Sequence, residues 1–303
     1  MLTGITLCSG IGTVESRLKD IVNFVGFAES DDHIAAYHDM AHGVKRNYGN
    51  VMHITERLDV DYIHASPPCV VSSTANTRVT YADRCLETET GKAISDIIKR
   101  SKPAIFTLEN VPAYRQTDAY MAIVEALQGY QKVVVVADAA ALGACCTREC
   151  MFLLAALEDV TFPNREHNSS PYWPMATEYG EPTDKQVEAF LSTLAHKGWS
   201  KEGYYLFDPG GYGKSHNMPI SPVGIGFTLV ARRQRHYCYA KNTLYTWNHG
   251  TIRSYSSDNL KEYMGLGTMI VPQEARVARF LLGNGIHGLH TDHIIRPVIE
   301  GAL

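Results

Sequence analysis

Over its first 157 residues the chain alternates short β-branched or aromatic runs with stretches of helical periodicity, a rhythm that few folds satisfy. Strands are expected at Ile5 to Cys8, Phe24 to Ala28, Tyr62 to Ala65, Ile105 to Glu109, Lys132 to Asp138 and Met151 to Ala155. Helices are expected at Thr13 to Ile21, His33 to Met40, Glu87 to Arg100 and Ala119 to Leu127. Parallel strands need a long crossover, usually a helix, so this order predicts an α/β fold with a doubly wound, mostly parallel sheet. After Leu157 the texture changes: Pro163, Pro171, Pro174, Pro182, Pro209, Pro219 and Pro222 accumulate, with Gly210-Gly211-Tyr212-Gly213 among them. One helix at Asp184 to His196, with strands at Ile225 to Ala231 and Tyr237 to Trp247, suggests a second, smaller lobe. Helical periodicity resumes near Pro272 and runs to Gly283-Asn284-Gly285. The expected division is a first domain over 1–158, a lobe over 159–267, and a segment 268–303 that returns to the first domain.

With 303 residues and 45% hydrophobic content, such a chain can fold without covalent staples. No apolar run reaches membrane-span length, and Met1-Leu2-Thr3-Gly4 leads straight into a strand without a charged leader, so a cytoplasmic protein is expected. Seven cysteines, Cys8, Cys69, Cys85, Cys145, Cys146, Cys150 and Cys238, lack framework spacing and argue for reduced thiols. The cluster Cys145-Cys146 with Cys150 has no second ligand pair nearby, and His287, His290 and His293 read as a polar helix flank, so no metal is expected. At a net charge of −4, a nucleic-acid partner would have to be held by a local patch. Arg232-Arg233-Gln234-Arg235-His236, with Lys214, His216 and tyrosines 204, 205, 212, 237, 239 and 245, could contact phosphates and stack on bases; it reads equally as a solvated strand edge.

The first strand runs into Ser9-Gly10-Ile11-Gly12 and then a helix, which lets backbone approach a ligand at a helix N-terminus. Glu29 closes the second strand seventeen residues beyond Gly12, where a carboxylate can accept from both hydroxyls of a ribose. Two glycines without an extended pyrophosphate cradle favour S-adenosylmethionine, with a dinucleotide as the alternative. Ser66-Pro67-Pro68-Cys69 follows the strand at Tyr62 to Ala65, and Leu108-Glu109-Asn110-Val111-Pro112 closes another strand about 40 residues later. A thiol and a carboxyl thus reach the same edge of the sheet, a pair suited to covalent attack on an electron-poor ring.

The order Gly10-x-Gly12, Glu29, Pro68-Cys69, Glu109-Asn110-Val111, Arg148, a variable lobe and Gly283-Asn284 resembles the cytosine-C5 DNA methyltransferases over nearly the whole chain outside that lobe. The resemblance implies a fold of the S-adenosylmethionine-dependent methyltransferase type, a catalytic domain followed by a target-recognition lobe, DNA as partner and a monomer. It implies that Cys69 adds to carbon 6 of a flipped-out cytosine, that Glu109, protonated, donates to ring N3, and that Arg148 orients the base. Ser9, Gly10, Ile11, Gly12, Glu29, Pro68 and Asn284 would line the S-adenosylmethionine site, and Ser73, Arg232, Arg233 and Arg235 would contact nucleic acid. Val70 to Thr90 would be a loop that closes over the base.

The chain departs from the family at Cys8, where an aromatic usually lies beside adenine, and at His53, where an aspartate usually stands. Val70 replaces a polar residue, and Cys146 and Cys150 replace a glutamine and an arginine. Target sequence is not legible. The alternatives are an RNA cytosine-5 methyltransferase, a related enzyme using a modified sulfonium cofactor, and a catalytically silent DNA-binding relative.

Overall fold

The computed structural model describes residues 1–43, 45–69, 71–72, 79–158, 160, 182–209, 218–222, 224, 226–229 and 243–303. These divide into two compact units, the first drawn from Met1–Asp138, Glu149–Glu166 and Gly288–Leu303, the second from Ala139–Arg148 and His167–His287.

The first unit follows the alternation in the sequence: β1 (Leu2–Leu7), α1 (Thr13–Leu18), β2 (Val22–Ala28), α2 (Asp32–His42), β3 (Arg46–Asn47), β4 (Tyr62–Ala65), α3 (Tyr81–Ser101), β5 (Ile105–Asn110), α4 (Asp118–Ala126), β6 (Gln131–Asp138) and β7 (Glu149–Ala156). The strands form one seven-stranded sheet in the order β3-β2-β1-β4-β5-β7-β6, in which β7 runs antiparallel to both its neighbours and the other pairings are parallel. From β1 the chain moves outward to β2 and β3, then returns to place β4 on the other side of β1. That reversal makes the carboxyl ends of β1 and β4 the switch point, where sheets of this kind open a crevice for ligands.

Period-two alternation sorts the strand residues between faces. Ile5, Leu7, Ile63, Ala65, Phe106, Leu108, Met151 and Leu153 join Ile94, Ile97 and Ile98 of α3 and Ala119 and Ile123 of α4 in one apolar cluster. Their neighbours in register, Thr6, Tyr62, His64 and Thr107, carry a buried polar strip on the opposite face. The C-terminal helical turns, Gly288–His290, Thr291–Ile295 and Arg296–Glu300, fasten to α1, with Arg17 paired to Asp292 and Arg296 2.8 Å from Asp20.

The second unit contains α5 (Asp184–His196), β8 (Tyr204–Phe207), β9 (Ile220–Pro222), β10 (Tyr245–Asn248), β11 (Thr251–Ser254), α6 (Ser257–Tyr263) and α7 (Ala275–Gly283). Its four strands make an antiparallel sheet in the order β11-β10-β8-β9. Phe190 of α5 packs on this sheet with its ring 4.5 Å from Phe207 and 5.1 Å from Trp247. Arg279 of α7, fully buried, is paired at 2.7 Å with Asp208 at the end of β8.

Two expectations need correction. Residues 81–90 are not loop: α3 begins at Tyr81 because Thr80 and Asp83 form a reciprocal capping box, Asp83 accepting from the Thr80 amide at 2.7 Å. Of the strand expected at Ile225 to Ala231, Gly226 makes only an isolated parallel bridge to Cys146, 227–229 are not strand, and 225, 230 and 231 lie outside the described residues. Gly226 donates to the Cys145 carbonyl at 2.7 Å and accepts from Thr147 at 3.0 Å, while the Tyr263 hydroxyl donates to the Phe227 carbonyl at 2.7 Å. The expected strand at Tyr237 to Trp247 is strand only from Tyr245, and 237–242 lie outside the described residues.

Candidate active site

The turn after β1 is shaped by backbone that only small residues tolerate. Gly10 and Gly12 adopt φ of +56° and +76°, and Cys8, not a glycine, takes φ +55°. A Cβ on Gly12 would run into Nε2 of His42 and stand 3.0 Å from Nε2 of His38, so glycine is required there on both counts. A Cβ on Gly10 would meet nothing within 4 Å. The turn therefore presents an open backbone at Gly10 and a tightly supported one at Gly12.

Glu29, directly after β2, braces this turn. One carboxylate oxygen accepts the Gly10 amide at 3.1 Å and the other accepts the Asp31 amide at 2.9 Å. Burial pushes the Glu29 carboxyl up from its ordinary value, against the pull of these amides. Ser9 donates its amide to the Ala28 carbonyl at 3.1 Å, and Ile11 is buried with its carbonyl 2.9 Å from His42 Nε2.

Beneath the turn lies a carboxylate the sequence did not single out. Glu15 of α1 is buried, accepts from Thr6 Oγ1, and stands 3.1 Å from His38 Nε2, whose ring stacks on Phe27 at 3.7 Å. Burial opposes the Glu15 charge, but the His38 and Thr6 bonds and the neighbouring histidines outweigh it and hold the carboxyl at about 2.

Cys69 and Glu109 leave adjacent strands. Ala65 is the register partner of Leu108, so the Ser66-to-Cys69 turn and Glu109 emerge at the same edge. Asn110 then ties the two segments together, its Nδ2 donating to the Pro67 carbonyl at 2.9 Å. The Ser66 amide donates to the Leu7 carbonyl at 3.1 Å, which holds the same turn against the end of β1. The nucleophile candidate, the acid candidate and the glycine turn thus converge on the switch point. Pro68, Cys69 and Glu109 are all half-buried.

The buried strip below Cys69 is a relay of short contacts. Thr107 Oγ1 lies 2.8 Å from the Tyr62 hydroxyl and 2.7 Å from His64 Nδ1, and His64 Nε2 reaches Ser66 Oγ at 2.9 Å. Burial lowers His64 to about 4, with the Glu15 charge partly opposing, so the ring is neutral at pH 7. Cys8 lies at the same edge, and burial first, then the Glu29 charge, pushes its thiol up to about 12.

The other residues singled out in the sequence lie apart from this edge in the chain or outside the described residues. Arg148 donates to the carbonyls of Leu229 and Gly283 at 3.3 Å and of Gly285 at 2.6 Å, so its guanidinium is engaged by backbone of its own unit. Asn284 is exposed at the C-terminus of α7, where its amide donates to Leu281 at 3.3 Å. Cys146 is buried with its Sγ 3.6 Å from the Tyr263 carbonyl, and His53 is exposed at the end of a short 3-10 turn. Val70, Ser73, Lys214, His216, Arg232, Arg233, Arg235 and His236 lie outside the described residues. Among the described residues, no helix is long and apolar enough to cross a membrane.

A mostly parallel sheet with a glycine turn, a brace carboxylate and a proline-set cysteine at its switch point defines an α/β fold with a ligand crevice at that edge. Residues 2–262 match the model of the C-5 cytosine-specific DNA methylases, and the chain belongs to that family. Among solved structures, it is similar to the methyltransferase EhMeth of Entamoeba histolytica, with 13% identity, a TM-score of 0.67, and coverage of 100% of this chain and 99% of that one. It is also similar to Dnmt2 methyltransferase of S. pombe, with 15% identity, a TM-score of 0.63 and 99% coverage of both chains. A third likeness is to a protein assigned as a prophage-encoded DNA modification methyltransferase in E. coli, with 14% identity, a TM-score of 0.61, and coverage of 100% and 99%. No curated protein sequence matches the chain.

The family implies S-adenosylmethionine, and the residues present fit it. Gly10 leaves open space where a ligand can lie against backbone. The Glu29 oxygens accept backbone amides, among them those of Gly10 and Asp31, and a carboxylate with about four lone-pair sites keeps acceptor capacity for a ribose hydroxyl.

Proposed function

We propose that this chain is a DNA cytosine-5 methyltransferase that uses S-adenosylmethionine and works through a covalent Cys69 adduct on an extruded cytosine. The observation that carries the reading is the Asn110-to-Pro67 hydrogen bond of 2.9 Å, which joins the cysteine and glutamate segments at the edge that also bears the glycine turn. The matching family is described by its action on DNA, and this supports DNA as the substrate.

Carbon 5 of cytosine is too weak a nucleophile to take a methyl group directly. Cys69, as thiolate, would form a bond to carbon 6 and turn the ring into an enamine. Glu109, protonated, would donate to ring N3 so that negative charge does not accumulate during the addition. S-adenosylmethionine, when bound, would supply an electrophilic methyl group to carbon 5, its S–CH3 bond breaking to leave the neutral thioether S-adenosylhomocysteine. Glu29 and the Gly10 backbone would hold its adenosyl portion, and Pro68 would help shape that side of the site. Once carbon 5 is methylated, loss of its proton to water or a base re-forms the ring double bond and expels Cys69. A base inside a duplex is out of reach of this chemistry, so extrusion at a cost of roughly a few kcal/mol is part of the proposal. Target reading is assigned to the lobe beyond residue 158.

The test is mass analysis of nucleosides from duplex DNA and from RNA incubated with protein and S-adenosylmethionine. The reading expects 5-methyl-2′-deoxycytidine. 5-Methylcytidine from RNA alone would move the substrate to RNA, and an unmodified pool from both would remove the enzyme.

A further inference from the structure

We propose that Glu87 is a positioning residue, tying the backbone just after the nucleophile to α3 and so fixing the approach of Cys69 to its target carbon. This deepens the methyltransferase reading and rests on it. Glu87 lies on the second turn of α3 and is only 3% exposed. A carboxylate so buried needs strong partners. Two such partners come from residues close behind Cys69: the Val71 amide donates to Oε2 at 3.1 Å and the Ser72 hydroxyl to Oε1 at 3.3 Å.

Two further observations make α3 a firm support. Its N-terminus is fixed by the Thr80 and Asp83 capping box, so the chain after Cys69 is fastened to the same helix at 71–72 and again at 80. One turn beyond Glu87, Gly91 has no Cβ, and an added one would stand 2.5 Å from Ala119 Cα. Helix α3 therefore sits directly on α4 with no slack at this level.

A second buried polar group lies nearby. Tyr114 is fully buried, and its hydroxyl has no hydrogen-bond partner among the described residues. Burial first, and then the charges of Glu87, Cys8 and Cys69, hold that phenol protonated. Glu87 and Cys69 thus lie within electrostatic reach of one buried group. The bonds of Glu87 run to the backbone and hydroxyl that follow Cys69, so its contribution is geometric. Glutamine can keep that geometry, with its carbonyl accepting from Val71 and its amide donating to the Ser72 oxygen.

The experiment compares full-length wild type, E87Q, E87A and Ser72→Ala by amide hydrogen exchange over 69–72, by single-turnover methyl transfer, and by KM for S-adenosylmethionine. A 1 Å misplacement can cost about 100-fold in rate, so E87A is expected to lose about 10- to 100-fold in single-turnover rate with KM unchanged. Exchange over 69–72 should be faster in E87A, E87Q should recover most of the rate, and Ser72→Ala should fall between E87Q and E87A. Unchanged exchange and rate in E87A overturn the proposal, as does an E87Q rate no better than that of E87A. If E87A does not fold, Ser72→Ala and E87Q decide: wild-type exchange and rate in Ser72→Ala, or a large rate loss in E87Q, overturn it. Wild type that methylates neither DNA nor RNA would remove the methyltransferase reading instead, and the exchange comparison would still decide the tether.

Discussion

His64 shows how one side chain couples the site to pH. Its neutral ring bridges Thr107 at 2.7 Å and Ser66 at 2.9 Å, three residues before Cys69. The folded-state value is lowered from 6.5 to about 4, so between those limits the unfolded chain binds a proton that the folded chain refuses. Stability therefore rises with pH across that window and is lost as pH falls from 6.5 toward 4, by about 3 kcal/mol in all. Glu15, lowered from 4.5 to about 2, adds a second loss in the window below. Urea unfolding at pH 7 and pH 4.5 should show a steep decline in wild type and a flatter one in His64→Gln; equal slopes would remove this assignment. At the cofactor edge, Glu29→Ala removes the acceptor for Gly10 and Asp31, and hydrogen bonds to a charged group contribute roughly 1.5–3 kcal/mol. Calorimetry should find affinity for S-adenosylmethionine reduced by about 10- to 100-fold. Cys69, Glu109 and Glu29 stand out in the sequence as candidates because each sits at or just beyond the end of a strand in a short local pattern. His64, Glu15 and Glu87 were not, because the partners that give them meaning are remote in sequence or hidden by periodicity that reads only as strand or helix.

Among the elements, α3 carries the most consequence. Gly91→Ala would press a methyl group onto the Ala119 backbone, an overpacking that costs about 1–3 kcal/mol and shifts the helix that bears Glu87. Thr80→Ala removes the cap at its start and should cost about 1 kcal/mol. Chemical denaturation measures both, and a Gly91→Ala variant as stable as wild type would mean that the helices can part without penalty. Six of the seven strands of the large sheet were read within a few residues and β3 was missed; Tyr62–Ala65 was read without error because the run of apolar β-formers ends sharply at Asp61 and Ser66. The start of α3 was missed by six residues, since Tyr81 to Leu86 are mostly exposed and give no apolar stripe. The signal was present in Thr80-x-x-Asp83, which marks a helix start through its caps.

At the scale of the whole molecule, the order of strands decides where chemistry can occur. The reversal between β1 and β4 places the two most informative turns side by side, and that adjacency follows from the alternation already visible along the chain. The second unit was far less legible: its short strands pair antiparallel, and its core rests on aromatic packing around Phe190 and on the buried Arg279 and Asp208 pair. Removing one partner of such a pair leaves a buried charge, so Arg279→Ala should cost about 3–5 kcal/mol by urea unfolding. The central claim is that the Cys69 sulfur bonds to a cytosine ring while an adenosyl donor is present. Its most direct test is denaturing electrophoresis and mass measurement of the protein after incubation with 5-fluorocytosine DNA and S-adenosylmethionine. A covalent protein–DNA adduct in wild type that requires the donor and is absent in Cys69→Ala is the expected result; an adduct of equal yield in Cys69→Ala, or none in wild type on either DNA or RNA, would contradict it.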